Sequence, residues 1–320
     1  MFPDLMIDNQ QLAFVFPGQG SQSVGMSTVL AGQFPIVKKL YAEASEVLGY
    51  DLWQLVHTGP ESELNVTAKT QPALLTASVA VWKVWEERGG PIPALMAGHS
   101  LGEYSAMVCS GILAFNAAIS LVADRGAFMQ AAVPEGVGSM AAILGLTSEQ
   151  VINVCKQAAQ GQVVSAANFN SEGQIVIAGH KEAVNRAIEI AAGAGAKRTI
   201  VLSVSVPSHC ALMQEAAGKF ASRMESISLS GGRVPVIHNV DVSIRSEASA
   251  IKQALAEQLY QPVRWLETVE LMSQKGITKI VECGPGKVLC GLIKRINRQT
   301  DTYPVFDQES LEKALSVMNG

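Results

Sequence analysis

Met96-Ala97-Gly98-His99-Ser100-Leu101-Gly102-Glu103-Tyr104 places a serine two residues from a glycine on each side. That is the G-x-S-x-G spacing of a nucleophile elbow. A short apolar run, Ala94 to Ala97, ends at Gly98, and helical spacing begins at Ser100. Strand, tight turn and helix together present a serine hydroxyl outward, and glycines at two residues' distance leave room for the turn. At a helix N-terminus Ser100 meets a dipole that favours developing negative charge. The N–H of Leu101 is then a candidate oxyanion donor. The same letters also suit a plain Gly-Ser turn capping a helix.

A serine hydroxyl is a weak nucleophile and needs a base. There are five histidines. His99 adjoins the serine and projects elsewhere from a tight turn. His57 lies in a polar stretch, His180 in an inserted segment and His238 in an expected strand. His209 follows Val204-Ser205-Val206-Pro207-Ser208, at a strand end, with Ser208 placed to cap a following helix. Strand ends and helix starts present side chains into clefts, which favours His209. Glu103 is too close to Ser100 along the helix to serve as a third member, and no other carboxylate stands out. A backbone carbonyl holding the Nδ1–H would orient the ring without a charge.

A second Gly-rich stretch, FVFPGQGSQ at Phe14 to Gln22, opens like a phosphate cradle. Ser23 stands where the third glycine of G-x-G-x-x-G belongs, so the nucleotide reading fails. Gly284-Pro285-Gly286-Lys287 is not a Walker A loop either, because Val281 replaces its first glycine and Val288 its Ser/Thr.

The elements that must hold these residues read as α/β. Leu12 to Phe16 and Ala94 to Ala97 are short apolar runs suited to buried strands, with later strands at Val234 to Val240 and Thr278 to Val281. Helical spacing runs through Ile36, Leu40 and Ala44, and from Leu74 to Trp85. Strands separated by helices imply a mostly parallel sheet. One segment differs. A strand at Ser139 to Leu144 precedes a capping box at Thr147 and Gln150, which opens a helix to about Ala159. Strands at Val163 to Asn168 and Gln174 to Ala178, a helix at Glu182 to Ala192 and a strand at Thr199 to Val204 complete the order β-α-β-β-α-β. That is the ferredoxin-like pattern. It defines a small subdomain at 134–206, inserted in a larger domain at 1–133 and 207–320.

Composition narrows the function classes. The 320 residues are 48% hydrophobic and 16% charged, with 28 glycines and a net charge of −4. This suits a globular core and argues against a nucleic-acid binder. Five scattered cysteines without C-x-x-C spacing suit buried thiols in a reducing compartment better than disulfides or zinc. Asp4 and Asp8 replace the basic start of a secretory signal. Tyr104 to Ala123 is uncharged and about long enough to span a bilayer. Its polar residues and the Ser110-Gly111 pair predict two shorter buried helices instead.

Six motifs occur in order: FPGQGSQ at Phe16 to Gln22, TQPALLTAS at Thr70 to Ser78, GHSLGEYSA at Gly98 to Ala106, RGAFMQ at Arg125 to Gln130, VPSH at Val206 to His209 and GPGKVL at Gly284 to Leu289. Together they resemble the malonyl-CoA:acyl carrier protein transacylases of the stand-alone bacterial type, over about residues 12–298. The resemblance implies an α/β-hydrolase-like domain with a ferredoxin-like subdomain, in agreement with the element order. It implies Ser100 as acyl-accepting nucleophile, His209 as base, and Gln19 with the Leu101 N–H as oxyanion hole. Gln258, in EQLYQPVRW, matches the residue whose carbonyl orients the histidine. Arg125 matches the arginine that grips the free carboxylate of malonyl, with Gln71 and Asn168 as further substrate-binding positions.

A guanidinium suits a carboxylate because it offers two parallel hydrogen bonds. Arg125 also stands among apolar residues, where an unpaired charge is costly. The implied partners are malonyl-CoA and acyl carrier protein, with no cofactor or metal, no nucleic acid and no membrane, and a cytoplasmic monomer is expected. Because the carrier protein is generally acidic in this family, Lys197, Arg198, Lys287, Lys294, Arg295 and Arg298 are candidate docking cations. VPSH matches neither usual synthase-domain signature, and malonyl rests on the match to stand-alone enzymes. An esterase would share Ser100 and His209 but has no need of a buried guanidinium. A non-catalytic carrier-binding module would need neither residue.

Overall fold

The computed structural model describes residues 9–202 and 206–319. Its strands are β1 (Asn9–Phe16), β2 (Pro93–Gly98), β3 (Gly138–Leu144), β4 (Val164–Ser171), β5 (Gln174–His180), β6 (Arg198–Val201), β7 (Val236–Ile237), β8 (Lys279–Cys283) and β9 (Asp301–Val305). The chain divides into two compact units. The first holds the described residues up to Ala123, then Ser228–Ile237 and those from Glu270; the second holds the described residues of Asp124–Ile227 and His238–Val269.

In the first unit a five-stranded sheet has the order β7-β2-β1-β8-β9, every pairing parallel. β1 pairs on both edges, and Leu12 to Phe16 are fully buried. A strand enclosed on both faces needs the unbroken apolar run the sequence displays. Phe14 meets Trp82 and Trp85 edge-on, each with ring centroids 5.1 Å apart. Each such pair contributes about 0.5–1.5 kcal/mol beyond burial, and together they seat the helix Thr67–Glu87 on β1. In the helix Pro35–Leu48 the buried stripe is Val37, Leu40, Tyr41 and Ala44, so Ile36 falls at its edge.

Tyr104 to Ala123 is indeed two helices. Gly102–Ser110 ends at Gly111, whose φ of 87° closes it in the left-handed conformation, and Phe115–Ala131 follows. No helix among the described residues is long and apolar enough to cross a membrane. β7 is far shorter than Val234 to Val240. Pro235 precedes it, and a tight turn in which Asp241 accepts hydrogen bonds from Ser243 follows it. The chain also continues past the last expected strand. β9 extends the sheet, and the helix Gln308–Met318 opens on a capping box between Asp307 and Ser310.

In the second unit the order β4-β5-β3-β6 is antiparallel throughout. The helices Ser148–Ala159 and Lys181–Gly193 supply the two crossovers, which makes this a ferredoxin-like β-α-β-β-α-β sheet. The capping box at Thr147 and Gln150 is present. β3 alternates as a half-covered strand should: Ala141 and Ile143 face the helices, while Met140 and Ala142 face Cys210. β6 ends at Val201; positions 203–205 of the expected strand lie outside the described residues.

Candidate active site

In the first unit the serine turn is built by steric necessity. A methyl on Gly98 would sit 1.8 Å from the carbonyl carbon of Gly102, and one on Gly102 would sit 2.0 Å from the carbonyl oxygen of Phe16. On Gly18 it would lie 2.4 Å from the His99 carbonyl oxygen. The ends of β1 and β2 are thus locked to the turn, with His99 N–H donating to Phe16 O at 3.0 Å. Ser100 has a φ of 52°. For an L-residue the left-handed region costs roughly 1–2 kcal/mol. The helical ladder starts with Gly102 N–H to His99 O at 2.9 Å and Glu103 N–H to Ser100 O at 3.1 Å. The Leu101 N–H precedes them at the positive end of the helix, and the Leu101 side chain is buried beneath it.

The loop after β1 is pinned by its own amides. Gln22 Oε1 accepts the Gly20 N–H at 2.7 Å, and Gln22 Nε2 donates to Asn65 Oδ1 at 2.8 Å. Gln19 is exposed, and its Nε2 donates to Thr67 Oγ1 at 3.3 Å. Gln71 stands one turn beyond Thr67 on the same helix and is buried.

In the second unit His209 is buried and carries a φ of 63°. Its N–H donates to Leu259 O at 2.9 Å, and its Nδ1 lies 2.7 Å from Gln258 O. A carbonyl only accepts, so Nδ1 carries a proton and Nε2 is the nitrogen left for proton exchange. The ring is oriented by that carbonyl with no carboxylate needed. Gln258, fully buried, also accepts from Arg125 Nη2 through its Oε1 at 2.9 Å. One glutamine therefore orients the histidine through its main chain and the arginine through its side chain. Arg125 is only 1% exposed, as its apolar flanks led one to expect.

Ser208 does not cap a helix. Its Oγ donates to Val206 O at 3.5 Å, and the chain passes through a 3-10 turn at Ala211–Met213 before the helix Gln214–Glu225 starts. The left-handed turn at His209 uses up the residues the cap would have needed. Asn168 lies in β4 between two register shifts, nearly buried, and its Oδ1 has no hydrogen-bond partner among the described residues.

The other histidines have local roles. His57 stacks on Trp53 with centroids 5.2 Å apart, and His180 Nδ1 accepts the Val163 N–H at 3.0 Å. His238 follows the last residue of β7 and lies outside the strand expected to hold it. Lys197 and Arg198 are exposed at the start of β6, as are Lys287, Arg295 and Arg298 in the first unit. Lys294 lies 3.8 Å from Asp301, which offsets part of its charge. The five cysteines are buried and free. Burial pushes the Cys155 thiol up to about 12 and the Cys210 thiol to about 11, so neither is a ready nucleophile. Among the described residues no group of His, Cys, Asp and Glu could hold a metal.

One polar residue escaped the sequence reading. Glu282, at the end of β8, is fully buried, and its carboxylate accepts the N–H groups of Leu289 and Cys290 at 3.0 and 2.7 Å. The only sequence signal was an acid placed shortly before Gly284-Pro285-Gly286 and a helical pattern.

The first unit thus carries a strained serine between two obligatory glycines at the end of a parallel sheet, the build of a nucleophile elbow, and the second carries a buried histidine whose Nδ1 faces a carbonyl. A family model described as acyl transferase domain matches residues 13–309. The malonyl CoA-acyl carrier protein transacylase of Salmonella typhimurium is 59% identical over 306 residues, 96% of this chain and 99% of the relative. That of Bacillus subtilis strain 168 is 45% identical over 309 residues, 96% and 97% of the two chains. The solved malonyl CoA-acyl carrier protein transacylase from Coxiella burnetii superimposes with a TM-score of 0.96 at 51% identity, covering 97% of this chain and 98% of that one. A malonyl-transacylase solved in complex with its type II polyketide acyl-carrier protein gives 0.95 at 57%, covering 96% and 99%. The chain belongs to the acyl transferase family, among its malonyl CoA-acyl carrier protein transacylases.

Proposed function

We propose that the chain moves the malonyl group of malonyl-CoA to the pantetheine thiol of acyl carrier protein through an ester on Ser100, supplying chain-extension units for fatty acid biosynthesis. The Ser100 Oγ attacks the thioester carbonyl carbon while its proton passes to His209 Nε2. Gln19 and the Leu101 N–H stabilise the resulting oxyanion. The carbon–sulfur bond breaks, CoA leaves as the thiol with the proton from His209, and the serine ester remains. The carrier's thiol then gives its proton to His209 and attacks the ester, and Ser100 Oγ recovers a proton as it leaves. This is a ping-pong cycle. Arg125 holds the free carboxylate of malonyl, with Gln71 and Asn168 lining the acyl group's surroundings. The ester must outlast CoA departure, so water has to be excluded until the thiol arrives. Lys197, Arg198, Lys294 and Arg295 guide the acidic carrier. The enzyme acts as a cytoplasmic monomer without a cofactor.

The observation that supports this reading over an esterase is Gln258, which ties a base-orienting carbonyl to a buried arginine. A hydrolase of neutral acyl groups has no use for that arginine. The test is malonyl-CoA turnover with and without holo carrier protein. Transfer to the carrier that suppresses free malonate release supports it. Rapid malonate release indifferent to the carrier overturns it in favour of hydrolysis.

A further inference from the structure

Two acids are completely buried among the described residues, Glu103 in the elbow helix and Glu282 in β8. Glu282 is met by main-chain donors: its two oxygens take the Leu289 and Cys290 N–H groups, at the start of the helix Val288–Ile296. Those donors would otherwise lack intrahelical partners, and the dipole there favours an anion. The carboxylate therefore fixes where the helix begins. It also closes that N-terminus to a phosphate, a second reason why Gly284-Pro285-Gly286-Lys287 is not a nucleotide cradle.

The turn between strand and helix has little slack. Gly284 N–H donates to Val305 O at 3.1 Å. Gly284 has a φ of 140°, and a methyl there would lie 2.4 Å from Ser78 Oγ and 3.0 Å from the Pro17 ring. Gly286 is also left-handed, and its Cβ position is 3.9 Å from Ser21 Cβ. The turn thus abuts the Gln19 loop on both sides, at Pro17 before it and Ser21 after it. Gln19 is exposed and its contact with Thr67 is long, so the placement of its amide depends on the backbone beneath it.

We propose that Glu282 is a positioning residue for the transfer reaction: by pinning the helix Val288–Ile296 it holds the 284–287 turn as a buttress for the Gln19 loop. The proposal rests on Gln19 acting as an oxyanion donor. Glu282→Gln keeps the shape but turns an amide N–H toward a backbone N–H. Measured per titrated active site, kcat falls about tenfold with the malonyl-CoA KM within about twofold, because a small displacement of a catalytic donor suffices. Glu282→Asp, which retains the anion, recovers part of the loss. Gly286→Ala, which disturbs the turn with Glu282 intact, reproduces the kcat defect even if the Gln variant folds poorly.

The decisive arm is Glu282→Gln combined with Gln19→Ala. The double variant is no slower than Gln19→Ala alone if Glu282 acts through that loop. Multiplying losses, or an unchanged kcat in both Glu282→Gln and Gly286→Ala, overturn the proposal and leave Gln19 as a donor. A kcat untouched by Gln19→Ala overturns the reading of Gln19, and the proposal with it.

Discussion

Replacing Arg125 by alanine should separate malonyl from acetyl transfer. The guanidinium is buried and already spends one N–H on Gln258. Two further charge-assisted hydrogen bonds to a malonyl carboxylate are worth about 1.5–3 kcal/mol each. Losing both, with the carboxylate left in a desolvated site, costs about 3–5 kcal/mol. At about 1.4 kcal/mol per factor of ten, kcat/KM for malonyl-CoA falls by roughly 10²–10³ or more. Acetyl-CoA has no carboxylate to lose. It feels the stranded Gln258 Oε1, a cost of about 1 kcal/mol and less than about tenfold. The assay is transfer to holo carrier protein from each thioester, with urea denaturation to confirm the fold. The malonyl-to-acetyl ratio should drop about 100-fold or more. Arg125→Lys, which keeps charge but not the planar fork, should fall between. Equal losses for both thioesters in a folded variant would make Arg125 a structural residue rather than the carboxylate's partner.

Three further outcomes follow from the same geometry. Gly102→Ala drives a methyl to 2.0 Å from the Phe16 carbonyl, and should cost about 3 kcal/mol or more in urea-monitored stability; a neutral substitution would contradict the packed elbow. Gln19→Ala should lower kcat by about 10² while raising the malonyl-CoA KM far less, as removal of an oxyanion donor does; a pure KM effect would return that loop to substrate binding. Burial holds the Glu282 carboxyl above its ordinary 4.5 despite the N–H groups it accepts. A raised carboxyl contributes stability that is complete below 4.5 and is lost as pH rises through its folded value. Glu282→Gln has no such dependence, so urea midpoints should shift in the variant's favour with rising pH, and a pH-independent gap would contradict it.

Much of the site was legible because steric necessity writes itself in glycines. Gly98 is where β2 meets the helix start and Gly102 is where that helix start meets β1, so the elbow could be read without a fold in hand. The buried position of Arg125 showed in its apolar flanks. What could not be read was non-local or written in no letter. Gln258 meets His209 across 49 positions and Arg125 across 133, so the residues alone could offer only an unnamed carbonyl. The left-handed backbone of His209 has no glycine to announce it, which is why Ser208 looked like a cap. Glu282 hid inside an apolar strand because its partners are backbone groups. β9 and the last helix were missed because Pro304 breaks the strand pattern, although Asp307 and Ser310 carried a capping signal.

The proposed transfer requires a covalent intermediate on Ser100. Brief incubation with malonyl-CoA, followed by intact-mass measurement and peptide mapping, tests it without kinetic inference. The protein should gain the mass of one malonyl group, on the peptide carrying Ser100. Ser100→Ala should gain none, and holo carrier protein should remove the group and acquire it. An unmodified enzyme that still transfers malonyl, or a malonyl ester on any other residue, would contradict an ester intermediate on Ser100.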